Sequence, residues 1–308
     1  MYRPIQDSLN QLAGTVGRSN QDCINILAGT TANPREQQDA FNIWAGTSGL
    51  SRQGAANVKA GTTSNPLSLQ GALDTLAFGT FTPASISGLV GWWHTGAGLF
   101  QDSGLTTPAT ANDDPIGGWQ DQSGNNRNLL QTTSGRRPLL KTNTLNSRST
   151  ILFDGSDDYL TTGAFTFNQP ETIYIVFQQV SWASSDTIFD GASGNSMRLY
   201  QNLTTPTINM TAGADTNFST SATIGSYFIV TTIFNGASSI LQVNNLTELS
   251  GNASTNNAGG FTLGIFGNLV SAPANIQVAE VCLFNTAHGS TDRTSMKNYL
   301  ASRYNISI

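Results

Sequence analysis

Apolar residues along this chain follow two rhythms, and the change falls near residue 82. From residue 6 to residue 80 they come in short bursts at helical spacing. Ile24, Leu27 and Ala28, or Phe41, Trp44 and Ala45, fall at i, i+3 and i+4 on one face, with Gln21 and Asn25, or Gln38 and Asn42, on another. The bursts are copies of one segment: QDSLNQLAGT at 6–15, QDCINILAGT at 21–30, QDAFNIWAGT at 38–47, QGAANVKAGT at 53–62 and QGALDTLAFGT at 70–80. Ala13, Ala28, Ala45, Ala60 and Ala77 are 15, 17, 15 and 17 residues apart, so two copies make a larger unit. The last copy inserts Phe78, as a terminal repeat with a different neighbour would. Each copy predicts a helix stopped by a glycine, which takes positive φ without Cβ strain. Ser19 and Ser51 stand where caps belong, as do Asn33 and Asn65, each followed by proline. Helices of about ten residues do not persist alone in water. These must pack on one another or on a partner.

Beyond residue 82 the rhythm becomes that of strands. TIYIVFQQV at 172–180, SYFIVTTIF at 226–234, SILQVNN at 239–245, FTLGIF at 261–266 and IQVAEVCLF at 276–284 are β-branched and aromatic runs bounded by Gly, Asn, Ser and Thr. Met296, Tyr299, Leu300 and Arg303 return to helical spacing, predicting a closing helix over 291–303 with Ser290 or Thr291 as its cap. The expected division is 1–82, a small all-α region of five short helical repeats, and 83–308, a mainly β antiparallel two-sheet sandwich.

Composition narrows the function. Charged residues are 11% of the 308, the net charge is -5 and there is no Lys/Arg run, which argues against nucleic-acid binding. No apolar stretch reaches membrane-spanning length and the N-terminus has no apolar signal core, so a soluble chain without membrane insertion or a secretion signal of its own is expected. Cys23 and Cys282 fall at apolar positions in different regions and read as buried reduced thiols.

Several segments carry a family resemblance. ISGLVGWWHTGAG, GGWQDQSGNNRNLLQ, RRPLL, STILFDGSDDYL and VAEVCLFNTA, in that order over 86–305, resemble the LamG-like branch of the concanavalin A-like lectin/glucanase family. The resemblance implies a jelly roll, with FDGSDDYL a turn feeding a strand. That family includes glycosidases, and glycoside hydrolysis normally uses two spaced carboxylates. Glu occurs only at 36, 171, 248 and 280, outside any E-x-D-x-E trio. His94 and His288, the two histidines, accompany no G-x-S-x-G elbow. No catalytic residue is therefore assigned and a non-enzymatic chain is expected. Asp154, Asp157 and Asp158 form the densest acidic group. They could hold Ca²⁺, the one cofactor considered, although capping the turn by binding backbone N–H groups is favoured. Trp182, in the polar segment SWASSD, is the tryptophan expected to be exposed for stacking on a sugar.

The LAGT…WAGT…KAGT repeats over 6–80 separately resemble N-terminal segments of minor tail proteins of tailed bacteriophages. Together the two resemblances imply a structural virion protein, probing host-surface carbohydrate and assembled with other virion proteins. A head-fibre or capsid-decoration protein, or a surface-polysaccharide depolymerase, are the alternatives. The apolar faces Ile24/Leu27 and Phe41/Trp44 suggest a homo-oligomer, a trimer being expected. Gln21, Gln38 and Gln53, with Asn25, Asn42 and Asn57, are expected to form an inter-helix hydrogen-bond ladder that spaces the repeats.

Overall fold

In the first three repeats the Asn and the Ala-Gly-Thr corner form one helix-ending motif. The computed structural model describes residues 5–16, 18–31, 36–48, 50–60, 81–202, 205–213 and 219–308. Four repeats are helices: α1 (Ile5–Ala13), α2 (Asn20–Leu27), α3 (Gln37–Ala45) and α4 (Arg52–Ala60). The fifth repeat at 70–80 and the capping positions Asn33 and Asn65 lie outside the described residues. Gly14, Gly29 and Gly46 take φ of 64°, 68° and 69°. This turns the next N–H back, so Thr15, Thr30 and Thr47 each donate to the carbonyl of Asn10, Asn25 or Asn42 at 2.8 Å. That is the Schellman closure, which satisfies a carbonyl the helix end would otherwise orphan.

The asparagine side chains complete the corner. Each threonine hydroxyl donates to the Oδ1 of its asparagine at 2.7–2.8 Å. Each asparagine Nδ2 donates to the carbonyl one turn earlier, on Gln6, Gln21, Gln38 or Gln53. Asn10 and Asn42 also give to the carbonyls of Arg18 and Leu50 and accept their N–H groups, tying each helix to the segment that opens the next. The two-copy unit is thus a pair of helices clasped by one asparagine and one glutamine, since Gln6 and Gln38 donate to the same Arg18 and Leu50 carbonyls. The asparagine bonds run within a repeat and into its connection, while the expected helix-to-helix bonding is made by Gln38 of α3, whose Nε2 donates to the Leu50 carbonyl and whose Oε1 faces the first residue of α4. Asn10, Asn25, Asn42 and Asn57 make their bonds in buried positions, whereas Gln38 and Gln53 are exposed. Gln38 still accepts from the Arg52 N–H at 3.1 Å.

Asn42→Ala is therefore expected to lower the stability of the repeat unit by about 1–3 kcal/mol, because it strands buried donors and acceptors. Gln38→Leu, at an exposed position, should cost less than about 1 kcal/mol. Thermal unfolding followed by helical circular dichroism checks this, and equal losses would contradict it.

Leu9, Cys23, Ile24, Ala40, Phe41, Ala55 and Ala56 are the buried centre of this unit, with Leu27 and Trp44 packed against them. Ile24 and Phe41 are therefore spent internally and are not free faces. Among the described residues of this unit, the large apolar side chains left in solvent are Val16, Ile43, Leu50 and Val58.

The chain divides into two compact units, Met1–Thr82 and Pro83–Ile308. The second contains β1 (Leu89–His94), β2 (Leu99–Phe100), β3 (Gly118–Trp119), β4 (Leu129–Leu130), β5 (Leu139–Leu145) and β6 (Arg148–Asp154). There follow β7 (Leu160–Ala164), β8 (Glu171–Gln179), β9 (Thr187–Asp190), β10 (Arg198–Gln201), β11 (Thr207–Thr211) and β12 (Ser219–Ser221). The last are β13 (Tyr227–Phe234), β14 (Ser239–Val243), β15 (Leu249–Gly251), β16 (Gly260–Leu263), β17 (Asn275–Phe284) and a helix, α5 (Ser290–Tyr304). The protein is mainly β, with two antiparallel sheets and five short helices among the described residues. One sheet runs β15-β14-β13-β8-β17-β6-β5, with β1 on β17; the other runs β12-β11-β10-β9-β16-β7-β4-β3-β2.

Their facing sides make one core. Trp93 stacks on Phe261 across the sheets, centroids 5.9 Å apart. Only glycine fits at Gly91, because a Cβ there would lie 2.3 Å from the Trp93 ring. Strand β17 changes register between Val278 and Glu280. Ile276 and Val278 before the bulge, and Val281 and Leu283 after it, point into this core. The extra residue turns Glu280 and Cys282 to the other face, where Tyr299 and Tyr304 of α5 meet Glu280. Ser290 is the first residue of α5, and Gly289 takes the cap position without a side-chain bond. Both cysteines are free and buried.

Candidate functional site

Three segments converge where β1 ends. The first is the turn Thr95–Gly98, which follows His94. The second is the β5–β6 hairpin, whose two turn residues Asn146 and Ser147 take φ of 47° and 67°. Such paired positive φ values make the primed turn that matches strand twist. The third is the last turn of α5. Asn146 Nδ2 donates to the carbonyls of Tyr304 and Asn305 at 2.8 and 3.0 Å, so the hairpin tip is fastened to the helix end.

Glu280 anchors the floor. It is fully buried. Its carboxylate accepts from Trp92 Nε1 at 2.8 Å, Tyr304 Oη at 2.8 Å and Tyr299 Oη at 3.2 Å. Arg303 Nε lies 3.0 Å from Glu280 Oε2. That N–H is not aimed at the oxygen, so the contact is an ion pair without a directed hydrogen bond. Burial pushes the Glu280 carboxyl up, and Arg303 with the three donors pulls it back.

Arg303 Nη2 reaches outward to His94 Nδ1 at 2.9 Å, and the Gly96 N–H points at the same nitrogen at 3.2 Å. Two donors on Nδ1 require a neutral ring protonated on Nε2. Accordingly burial, with the charges of Arg303 and Arg148 behind it, holds His94 down at about 4. Thr95 Oγ1 donates to the Ser149 carbonyl at 2.6 Å, which closes the turn onto the hairpin.

Above this floor lie two cavities that share Thr95 and Gly96. One, of about 270 Å³, is lined by Thr95–Phe100 and Pro108–Thr110. The other, of about 160 Å³, is lined by Thr95, Gly96, Ser147–Ser149, Arg303 and Tyr304. Together they reach the size range of small-molecule sites, roughly 300 Å³ and above. Their lining contains no Asp or Glu. A cavity of about 360 Å³ elsewhere, lined by residues of 221–228 and 243–246 together with Ile308, contains no charged side chain. We therefore take the cleft at the end of β1 as the candidate site.

Apart from His94, the residues singled out in the sequence lie elsewhere. Asp154, Asp157 and Asp158 do converge, with one oxygen of each within 4.8 Å of the others. Each carboxylate is already used: Asp154 Oδ1 accepts the Ser156 N–H at 2.8 Å, Asp158 Oδ2 accepts the Asp154 N–H at 3.0 Å, and Asp157 lies 3.5 Å from Arg136 Nε. Gly155, at φ 77°, makes the turn. Burial raises Asp158 to about 6; the Asp154 N–H opposes this, and the charges of Asp154 and Asp157 reinforce it. The trio offers three carboxylates, where Ca²⁺ takes six to eight oxygens. Trp182 is half-buried, its indole N–H 3.5 Å from the Thr207 carbonyl, and it does not line the cleft. The amides of the repeats bond as described above.

Arg148, Arg303 and Glu280 were not singled out in the sequence. A lone Glu inside the nine-residue apolar run IQVAEVCLF was the available signal, because a buried carboxylate demands a partner. Nothing in the sequence pairs Arg148 with Arg303.

No protein-family profile and no curated protein matches the chain. Solved structures similar to it include a Trypanosoma rangeli sialidase in complex with sialic acid, at 13% identity and TM-score 0.46, covering 71% of this chain and 33% of that one. They also include an arabinofuranosidase complexed with arabinofuranosyl-α-1,2-xylobiose, at 15% identity and TM-score 0.48, covering 62% of this chain and 51% of that one. The chain thus spans about a third to a half of these proteins. Both are named as glycosidases, and neither is named as a virion component. The expectation of a non-enzymatic structural virion protein is corrected on this finding and is not carried forward. At these identities and TM-scores the likeness does not itself give this chain a reaction or a substrate.

Proposed function

We propose that the sandwich is a LamG-like jelly roll that binds carbohydrate in the cleft at the end of β1. The lining of that cleft carries the reading. The hydroxyls of Thr95, Thr110, Ser147 and Ser149, the backbone of the Gly96–Gly98 turn and two guanidinium groups surround a shallow space with half-buried Phe100 in its wall. A sugar ring needs this mixture: many hydrogen-bond partners on a rigid frame and one apolar surface. The jelly-roll reading is supported by FDGSDDYL, which leaves β6 in one sheet and enters β7 in the other. The repeat unit serves assembly in this proposal. Val16, Ile43, Leu50 and Val58 remain exposed on it for contact with further copies of the chain, a trimer being the expected state.

A glycan array probed with the full chain tests the binding. Binding to at least one glycan class is expected, with a loss of about tenfold or more, roughly 1.4 kcal/mol, in Ser149→Trp, which fills the cleft. The bound glycans should also be assayed for cleavage. Binding unchanged by Ser149→Trp would overturn this location, and a folded protein that binds no glycan would overturn the proposal.

A further inference from the structure

Two cations share one wall of the cleft. The guanidinium carbons of Arg148 and Arg303 each lie 5.8 Å from the centroid of the buried Tyr304 ring. Arg303 has a structural reason to be there. It pairs with Glu280 and sits in the last turn of α5, where a cation suits the helix dipole. Arg148 has none of these. It is exposed, lies outside any helix and makes no ion pair with a carboxylate among the described residues.

Its position is nevertheless imposed. The primed turn sets Arg148 directly after Ser147, and Asn146 fastens that turn to the carbonyls of Tyr304 and Asn305. Two like charges are thus held near each other by backbone geometry in a chain whose net charge is -5. The neighbouring carboxylates cannot neutralise Arg148. Glu280 is sealed behind Arg303, and Asp114, beyond the adjoining cavity, is engaged by the N–H groups of Thr110 and Ala111 at 2.8 Å. His94 also faces this group and is committed as a neutral acceptor to Arg303 and Gly96.

We propose that the cleft selects an acidic sugar, whose carboxylate or sulfate oxyanion is held by Arg148 together with the outer edge of Arg303. A guanidinium presents paired N–H groups that match such an oxyanion, and charge-assisted hydrogen bonds are about twice as strong as neutral ones. The hydroxyls of Ser147 and Ser149 flank the same space and would take the ring hydroxyls. This inference rests on the carbohydrate reading and adds the ligand class to it.

Titration calorimetry with the full chain tests it, using a uronic-acid oligosaccharide, a sulfated oligosaccharide and a neutral oligosaccharide of matched length. Both acidic ligands should bind about tenfold or more tightly than the neutral one, and their ratio shows which oxyanion is preferred. Arg148→Gln, at an exposed position, should erase most of that advantage and weaken the salt dependence, while Arg18→Gln in the repeat unit should leave both unchanged. Neutral and acidic ligands binding equally, with Arg148→Gln silent, would overturn the acidic-sugar inference and leave the carbohydrate reading standing. No binding of any oligosaccharide would overturn the carbohydrate reading, and the inference with it.

Discussion

Glu280→Ala is expected to lower the stability of the sandwich by about 3–5 kcal/mol, the range seen when one partner of a buried ion pair is removed. The truncation strands the Trp92 indole N–H and the hydroxyls of Tyr299 and Tyr304, all three of which donate to this carboxylate. It also leaves Arg303 facing an emptied, buried site. Removing both charges with Glu280→Leu and Arg303→Leu should restore part of the loss, because the pair's own desolvation cost disappears with it. Denaturant unfolding of the four proteins in the cycle measures this. A single-mutant loss below about 1 kcal/mol would show that the network under α5 is not what fastens the helix to the sheet.

Glu171→Gln is expected to act in the opposite direction. Glu171 opens β8 and is fully buried, and neither of its oxygens completes a hydrogen bond. Burial raises its pKa from an ordinary 4.5 to about 8, opposed only by the nearby Ala258 amide. Its folded state therefore prefers the protonated acid. Its contribution to stability is fully present below about 4.5 and is lost as the pH rises through about 8, because the unfolded chain releases the proton first. At about 1.4 kcal/mol per pKa unit, the loss is on the order of 3–5 kcal/mol. Glu171→Gln should flatten this decline and be the more stable protein at pH 8. Unfolding free energies from pH 4 to pH 9 decide it; parallel curves for the two proteins would mean that Glu171 has found a partner.

These two glutamates mark how far the sequence could be read. The spacing of Phe41, Trp44 and Ala45 predicted a helix and Gly46 its end, because both follow from local geometry. Asn42 reads as a hydrogen-bonding residue between repeats, but its partners were not legible, since they depend on where Leu50 returns after the corner. IQVAEVCLF predicted a strand, yet the bulge after Val278, which turns Glu280 toward α5, has no signature in the letters. Glu171 and Glu280 end in opposite circumstances, one with no completed hydrogen bond among the described residues and one held by Trp92, Tyr299, Tyr304, Cys282 and Arg303. The cleft was less legible still. Asp154, Asp157 and Asp158 were conspicuous by being adjacent, whereas Arg148 and Arg303 meet only after a hairpin and a helix end have been tied together by Asn146.

The central claim is that carbohydrate is recognised where β1 ends, and the position of a bound sugar tests it most directly. Amide chemical shifts of the full chain should be followed as an acidic oligosaccharide is added. The largest changes are predicted at Thr95, Gly96, Ser147, Arg148 and Ser149, with residues 221–228 unmoved. Saturable changes confined to 221–228, or to the face carrying Trp182, would contradict the account.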